Sequence, residues 1–236
     1  MIAQLLAVLA ALTLALPALG AEGAPAPAPK LDASFLPQQP ELLTYRTTAG
    51  GKPGFFTVAL TRSGKELEVL VNMIEPGFSK TVWGTLGEDL RPLRSQAIIA
   101  IGDQVRVDSR MRYEAGKIAV NTLLGPWGRS TDAEVAAPGP VVDPVEQPVL
   151  PRLLPLKAGA VWSLDALDPQ KNVLAKLELK VTGEEQVAGV DCFRVEQDGF
   201  EGKAIYWIEK GPRRRPIRIE QPASGRVSEL VGPPGK

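Results

Sequence analysis

The 236-residue sequence contains no histidine and only one cysteine. Without imidazole, Ser-His and Cys-His hydrolases and metal sites built on histidine are excluded. A single cysteine excludes thiolate clusters and an intrachain disulfide. The 27 basic residues are balanced by 27 acidic residues, so no net positive charge draws the chain to nucleic acid or to anionic lipid. These absences favour a binding or structural role over catalysis.

The short motifs that mark common active sites are also missing. The sequence has no glycine-rich phosphate loop, no GxSxG elbow, no SxxK pair and no DxDxDG-like calcium loop. We therefore expect no metal, no cofactor and no enzymatic activity. The remaining enzymatic alternative is an acid-pair hydrolase, because two carboxyl groups at a suitable distance can hydrolyse a glycosidic bond. Three acid pairs are available, each beside glycine or proline or at a strand end where solvated turn acids are common: Glu88 with Asp89, Asp165 with Asp168, and Glu184 with Glu185.

An apolar run from Ile2 to Leu19 opens the chain. The run is interrupted only by Gln4, Thr13 and Pro17, and its main part, Leu5 to Leu16, has 12 residues before Pro17. This is shorter than the roughly 20 apolar residues of a spanning helix. We predict a signal peptide over residues 1–21, with a retained membrane anchor as the alternative. No cysteine follows the run, so a lipid-modified amino terminus is excluded. The predicted location is the periplasm, with no stable membrane anchor after cleavage.

The rest of the chain predicts an all-β protein. Residues 22–40 are rich in alternating Ala-Pro and predict an extended linker. Residues 41–231 contain about ten runs in which apolar and polar residues alternate with a period of two, separated by turn signals. We expect a single domain built as an antiparallel meander, with turns at the spacing of an all-β sandwich or barrel. We predict that residues 232–236 form a disordered tail.

Residues 125–155 interrupt the strand pattern with seven prolines. A segment of this length and composition predicts a long loop or lid, with an interdomain linker as the alternative. Pro148 and Pro151 would limit any helix between Pro144 and Leu154 to one or two turns.

A few individual residues are candidates for function. Arg213, Arg214 and Arg215 could bind an anion, although a solvated turn between two strands is the more ordinary interpretation. We predict that Cys192 is a small, buried apolar residue, with a reactive thiol as the alternative. Four tryptophans could line a ligand groove or belong to the core and its rim: Trp83, Trp127, Trp162 and Trp207.

Several segments resemble a bacterial exported family known as domain of unknown function 3108. They are PLKAG (155–159), GVDCFRVE (189–196), IYWIEKGPRRRPIRIE (205–220) and GRVSEL (225–230), with ELLTYR (41–46) similar to the family's first strand and TLGEDLRPLRSQ (85–96) to the stretch after its third. The resemblance implies an envelope protein whose sheet is a strongly curved antiparallel meander, an open half-barrel or incomplete barrel similar to those of lipoprotein carriers. It implies no activity and no active-site residues.

Two functional hypotheses follow from a sheet that curls without closing, because its concave apolar face must be covered. The leading hypothesis is a non-catalytic protein that binds a lipid or another apolar molecule there, with Trp127 and the proline-rich segment as lid. The alternative is a structural or protein-interaction module of the cell envelope that has no small-molecule ligand. An open inner cavity favours the first hypothesis, a packed interior the second and an acidic cleft the acid-pair hydrolase.

Overall fold

The computed structural model describes residues 29–125 and 128–232 of the chain. In this part the fold is all-β, as predicted, and fifteen strands form one sheet. The strands are β1 (Glu41–Ala49), β2 (Lys52–Ser63), β3 (Glu66–Glu75), β4 (Phe78–Leu86), β5 (Pro92–Ile101), β6 (Gln104–Glu114), β7 (Lys117–Leu124), β8 (Arg129–Ala136), β9 (Val141–Val142), β10 (Val161–Asp168), β11 (Val173–Val187), β12 (Val190–Asp198), β13 (Ala204–Glu209), β14 (Pro216–Gln221) and β15 (Arg226–Leu230).

The sheet is a meander with the first and last strands at its centre. One half of the sheet runs from β1 outward to β8, and the other runs from β15 back to β9. The two halves join where β1 pairs antiparallel with β15, with Tyr45 opposite Leu230. All other neighbouring strands are antiparallel except β9, which pairs parallel with β10. The edges of the described sheet are therefore β8 and β9.

An ion pair between distant strands shows how strongly the sheet curls. Lys80 Nζ on β4 lies 2.5 Å from Glu201 Oε1, in the connection between β12 and β13. Six inter-strand steps separate β4 from β13 in the sheet order, which would place them roughly 29 Å apart in a flat sheet at about 4.8 Å per step. The predicted strong curvature is thus present, and the sheet has a distinct inner face.

The prediction of about ten strands was too low, because several strands lack clean alternation. In β5 the apolar residues Ala97 to Ala100 are consecutive, and β8 is mostly exposed and polar. β4 carries Lys80 and Gly84 at inner positions, where the pattern requires apolar side chains. Where alternation is clear the prediction is confirmed: Leu67, Val69 and Val71 of β3 are all buried.

Residues 137–156, which we call the plug segment, lie against the inner face of the sheet. The segment includes β9 and a single helical turn, α1 (Leu150–Leu153), in agreement with the predicted limit of one or two turns. The predicted 125–155 loop is therefore only partly a loop, because β8 and β9 also lie within it. Five apolar side chains of the plug segment are at most 1% exposed: Val145, Val149, Leu150, Leu153 and Leu154. The inner face is thus filled along most of its length by the chain itself.

Part of the predicted linker also packs onto the fold. Leu36 is 3% exposed, and the backbone amide of Asp32 donates a 2.8 Å hydrogen bond to the carbonyl of Leu153 in the plug segment. The expectation of an extended spacer is therefore wrong for residues 29–40, because their apolar side chains pack on the core. The predicted signal peptide and most of the predicted tail lie outside the described residues. Among the described helices, none is long and apolar enough to cross a membrane.

Candidate functional site

A small pocket remains open between the plug segment and the two halves of the sheet. Phe56 and Met73 come from the first half, Tyr206 and Ala204 from the second, and Gln147 from the plug segment. Its volume is about 70 Å³. The other apolar walls of this inner pocket are Val71, Val82, Pro144, Pro148 and Ile219.

Two buried glutamines bring polar groups into the inner pocket. Gln147 and Gln197 are 6% and 3% exposed, and Gln197 Nε2 donates a 3.3 Å hydrogen bond to Gln147 Oε1. Gln147 Nε2 and Gln197 Oε1 have no hydrogen-bond partner among the described residues. Burial raises the pKa of the neighbouring Tyr206 hydroxyl well above its ordinary value, so the phenol is neutral. The deep part of the pocket is therefore polar without being charged.

Ion pairs line the mouth of the inner pocket. Lys80 pairs with Glu201, as described above, and Arg226 makes a bidentate contact with Glu75 at 2.6 and 3.0 Å. A cleft of about 350 Å³ adjoins the mouth and shares Lys80, Glu201, Arg226 and Met73 with the inner pocket. We call it the outer cleft. A ligand in the outer cleft could thus reach the inner pocket past these ion pairs.

A second polar cluster lies in the plug segment around two buried carboxyl groups. Asp143 and Glu146 are 0% and 3% exposed. Asp143 Oδ2 accepts hydrogen bonds from the hydroxyls of Ser95 and Tyr113, and Asp143 Oδ1 accepts a 2.7 Å bond from the amide of Val145. The amide of Asp143 in turn donates a 2.7 Å bond to Glu146 Oε2. These contacts fix the shape of the plug segment where it meets β5 and β6.

Both carboxyl groups in this cluster are harder to ionise than in water. Burial raises the pKa of Asp143, although hydrogen bonds from Ser95 and Tyr113 oppose the shift. Burial also raises the pKa of Glu146 well above its ordinary value, although the hydrogen bond from the backbone amide of Asp143 opposes this shift and the charge of Asp143 adds less to it. Tyr113 lines a surface cleft of about 500 Å³, whereas the two acids do not. Their enclosure favours a structural role over acid-pair chemistry.

The six acids considered as catalytic pairs from the sequence are occupied by ion pairs. Glu88 binds Lys65 at 2.9 Å, and Asp165 binds Lys176 at 2.7 Å. The others form similar contacts: Asp89 with Arg91, Asp168 with Lys171, Glu184 with Lys210 and Glu185 with Arg194. None of the six lines the inner pocket. Among the described residues, no group of three or more acid or cysteine side chains could hold a metal ion.

The described tryptophans do not line a common groove. By strand alternation, Trp83 and Trp207 lie on the outer face, where the guanidinium of Arg94 is 5.4 Å from the Trp83 ring centre. Trp162 is partly buried against the main core. Trp127 lies outside the described residues. The expectation of a tryptophan-lined site therefore fails for these three, because the period of two distributes them over both faces of the sheet.

The arginine run is structural rather than a solvated turn. Arg215 is 7% exposed and makes a bidentate contact with Glu209, at 2.9 Å from Nε and 3.1 Å from Nη2. Arg214 Nη1 donates a 2.5 Å hydrogen bond to the carbonyl of Leu154. Arg213 is exposed, but its carbonyl accepts a 2.8 Å bond from Arg152 of the plug segment. The run thus attaches the end of the plug segment to the β13–β14 turn, and none of its described contacts indicates an anion site.

Comparison with protein families assigns the chain. The model of the family described as "Protein of unknown function (DUF3108)" matches residues 44–227. The chain belongs to the DUF3108 family. The resemblance noted from its strand and turn segments is therefore confirmed. No curated protein matches the sequence.

One solved structure similar to this DUF3108 protein is a "Beta-barrel-like Protein of Domain of Unknown Function DUF1849 from Brucella abortus". The two chains are 11% identical, with a TM-score of 0.53. The match covers 82% of this chain and 96% of the other. At this identity the likeness shows a shared fold alone, which agrees with an all-β sheet that curls toward a barrel.

The glutamines of the inner pocket were not singled out from the sequence. Gln197 carries a usable signal, because alternation places it on the same inner face as Val195, which is fully buried. A polar residue at an inner strand position is an exception to the pattern and indicates a special role. Gln147 carries no such signal, because the plug segment has neither strand nor helical periodicity.

Proposed function

We propose that this DUF3108 protein is a non-catalytic binding protein that holds one end of an apolar ligand in the inner pocket. The pocket carries the proposal, because it has mostly apolar walls and is formed jointly by both halves of the sheet and the plug segment. Its volume of about 70 Å³ is well below the roughly 300–1,000 Å³ of pockets that enclose a whole drug-sized ligand. The remainder of the ligand would lie in the outer cleft.

The outer cleft is lined by both apolar and charged side chains, and its apolar members offer a surface for the rest of the ligand. Phe78, Ile99 and Phe200 lie there together with Met73, which also lines the inner pocket. Apolar surface that a ligand removes from water contributes about 25 cal/mol per Å². A lipid acyl chain or a similar elongated molecule matches a narrow pocket that continues into a wider cleft.

The plug segment changes the role first expected for the proline-rich region. It covers most of the inner face with its own side chains, among them Val145 and Leu150. The ligand is therefore proposed to bind beside the plug segment rather than beneath a lid. Export to the periplasm is part of the proposal and rests on the apolar run from Ile2 to Leu19.

The test is binding of a fluorescent apolar probe to the purified protein. Ala204 is 4% exposed and lines the inner pocket, so Ala204→Leu should fill the pocket and reduce affinity about tenfold or more. Ala119→Leu on β7, outside the pocket, is the matched control and should leave affinity unchanged. Thermal unfolding of both variants establishes that they are folded. Equal affinity in folded Ala204→Leu and wild type would refute binding in this pocket.

The alternative role as an interaction module is favoured by the filled inner face. The outer face also offers exposed apolar side chains to a protein partner. Phe55 and Ile74 are cross-strand partners there, and each is 58% exposed. Under this alternative, delipidated protein should capture one envelope protein in stoichiometric amount, and Phe55→Ser should abolish the capture. Ala204→Leu should leave it unchanged.

A further inference from the structure

Two buried amide groups that line the inner pocket each have one atom without a hydrogen-bond partner among the described residues, and these two atoms point to a ligand chemistry. We propose that the pocket binds an uncharged polar end group that both donates and accepts hydrogen bonds, such as the end of a primary amide or an alcohol on an apolar chain. This inference rests on the proposed function and adds the class of end group that the pocket selects.

The unpartnered atoms are a matched donor and acceptor. Gln147 Nε2 can donate, Gln197 Oε1 can accept, and both belong to side chains more than nine-tenths buried that line the pocket. If the oxygen and nitrogen positions are exchanged in both amides, Gln147 donates the mutual hydrogen bond and Gln197 accepts it. One amide nitrogen and one amide oxygen are then again left without a partner. The complementarity of the site is therefore independent of which way the two amides are turned.

A buried amide group that has lost water without gaining another partner is unfavourable. Gln147 Nε2 and Gln197 Oε1 are two such atoms, and their side chains line a pocket whose other walls are mostly apolar. A carboxamide or hydroxyl end group could accept from Gln147 and donate to Gln197 at the same time. A purely apolar end group would leave both atoms unpaired, and binding it would be penalised.

The charges around the pocket disfavour an ionised end group. Lys80 is paired with Glu201, and Arg226 with Glu75, so each cation at the mouth already has its carboxylate. Tyr206, beside Gln197, is neutral because burial raises its pKa. A carboxylate or ammonium group in the deep part of the pocket would lose its hydration without gaining an opposite charge.

The experiment measures displacement of the fluorescent apolar probe by four six-carbon compounds: hexanamide, 1-hexanol, hexanoate and hexylammonium, at pH 8. Wild type should bind hexanamide and 1-hexanol about tenfold or more tightly than the two ions. The double variant Gln147→Leu, Gln197→Leu should still bind the apolar probe but lose this preference. Gln104→Leu, at an exposed position at the start of β6, is the matched control and should retain the preference.

The outcomes separate this inference from the proposed function. If wild type binds the probe but the double variant keeps the same preference, ordered water satisfies the amides, and the end-group inference is wrong while the binding function stands. If wild type binds the ions as tightly as the neutral compounds, the inference is also wrong. If folded wild type binds neither probe nor compounds, both proposals fail together.

Discussion

Gly84 on β4 and Val145 in the plug segment are in direct contact across the inner face. A Cβ atom added at Gly84 would lie 2.7 Å from Val145 Cγ1, closer than real Cβ contacts allow. The sheet thus provides a position without a side chain where the plug segment has a fully buried valine. This complementarity shows that the plug segment and the sheet are packed together as one core.

Gly84→Ala should therefore destabilise the protein by about 1–3 kcal/mol, because overpacking forces the plug segment or β4 to shift. The free energy of unfolding from urea denaturation measures the effect. In a Val145→Ala background, Gly84→Ala should lower the free energy of unfolding by clearly less, since the clashing methyl group of Val145 is absent. Gly139→Ala, where an added Cβ meets nothing within 4 Å, is the control. An equal cost of Gly84→Ala in both backgrounds would contradict the contact.

Arg152 should be among the residues most important for stability. Its side chain is 1% exposed, and it donates to Glu41 Oε2 at 2.6 Å and to the carbonyl of Arg213 at 2.8 Å. Arg152→Met should cost about 3–5 kcal/mol in free energy of unfolding, because it leaves the mostly buried Glu41 carboxylate unpaired. Lys65→Met, in an exposed pair with Glu88, should change stability by less than about 1 kcal/mol. Similar losses for both variants would contradict this assignment.

Glu146 should make the folded state less stable as pH rises. Its folded-state pKa is raised, chiefly by burial, so its contribution to stability is fully present below the ordinary pKa and is lost as pH increases through the folded-state pKa. In Glu146→Gln the side chain is uncharged at every pH, and its carbonyl oxygen can still accept the hydrogen bond from the backbone amide of Asp143. We expect the variant to gain roughly 1–3 kcal/mol over wild type at pH 8 and little at pH 4.5.

Urea denaturation at both pH values checks this expectation. Glu88→Gln is the control, because Glu88 is exposed, and it should show no comparable gain at pH 8. A loss of stability in Glu146→Gln that is the same at both pH values would show instead that the native site requires the carboxylate.

Cys192 should be unreactive in the folded protein. It is fully buried, and burial together with the charges of Glu209 and Asp191 raises the pKa of its thiol to about 11. A thiol reagent at pH 8 should modify it only after denaturation. Ser130→Cys, at an exposed position on β8, should react rapidly in the folded variant. Rapid modification of Cys192 in folded wild type would revive the reactive-thiol interpretation.

Much of the fold could be predicted because the alternation of apolar and polar residues indicates a sheet with one buried face. In β3 the predicted inner residues Leu67 and Val69 are both buried. The same alternation predicted the meander, whereas its strong curvature was implied by the family resemblance. The missing strands have a physical explanation, since β8 is an exposed edge and needs few apolar residues. Gly84 looks like a break in a strand pattern, and its reason becomes visible only when the plug segment is in place.

The candidate site was much less predictable than the fold. The plug segment is buried by tertiary packing and has no periodicity, so nothing local indicates that Gln147 faces a pocket. The arginine run shows the same limit, because Arg215 is buried by its contact with Glu209 rather than exposed as a turn residue. The tryptophans attracted attention through residue type alone, and alternation assigns Trp83 and Trp207 to the face opposite the pocket.

The most direct test of the central claim is native mass spectrometry of protein purified without detergent from its own cell envelope. We predict an adduct with the mass of one apolar molecule on wild type and on Ala119→Leu, and loss of that adduct in folded Ala204→Leu. An adduct on all three proteins, or repeated absence of any adduct from wild type, would contradict an apolar ligand held in the inner pocket.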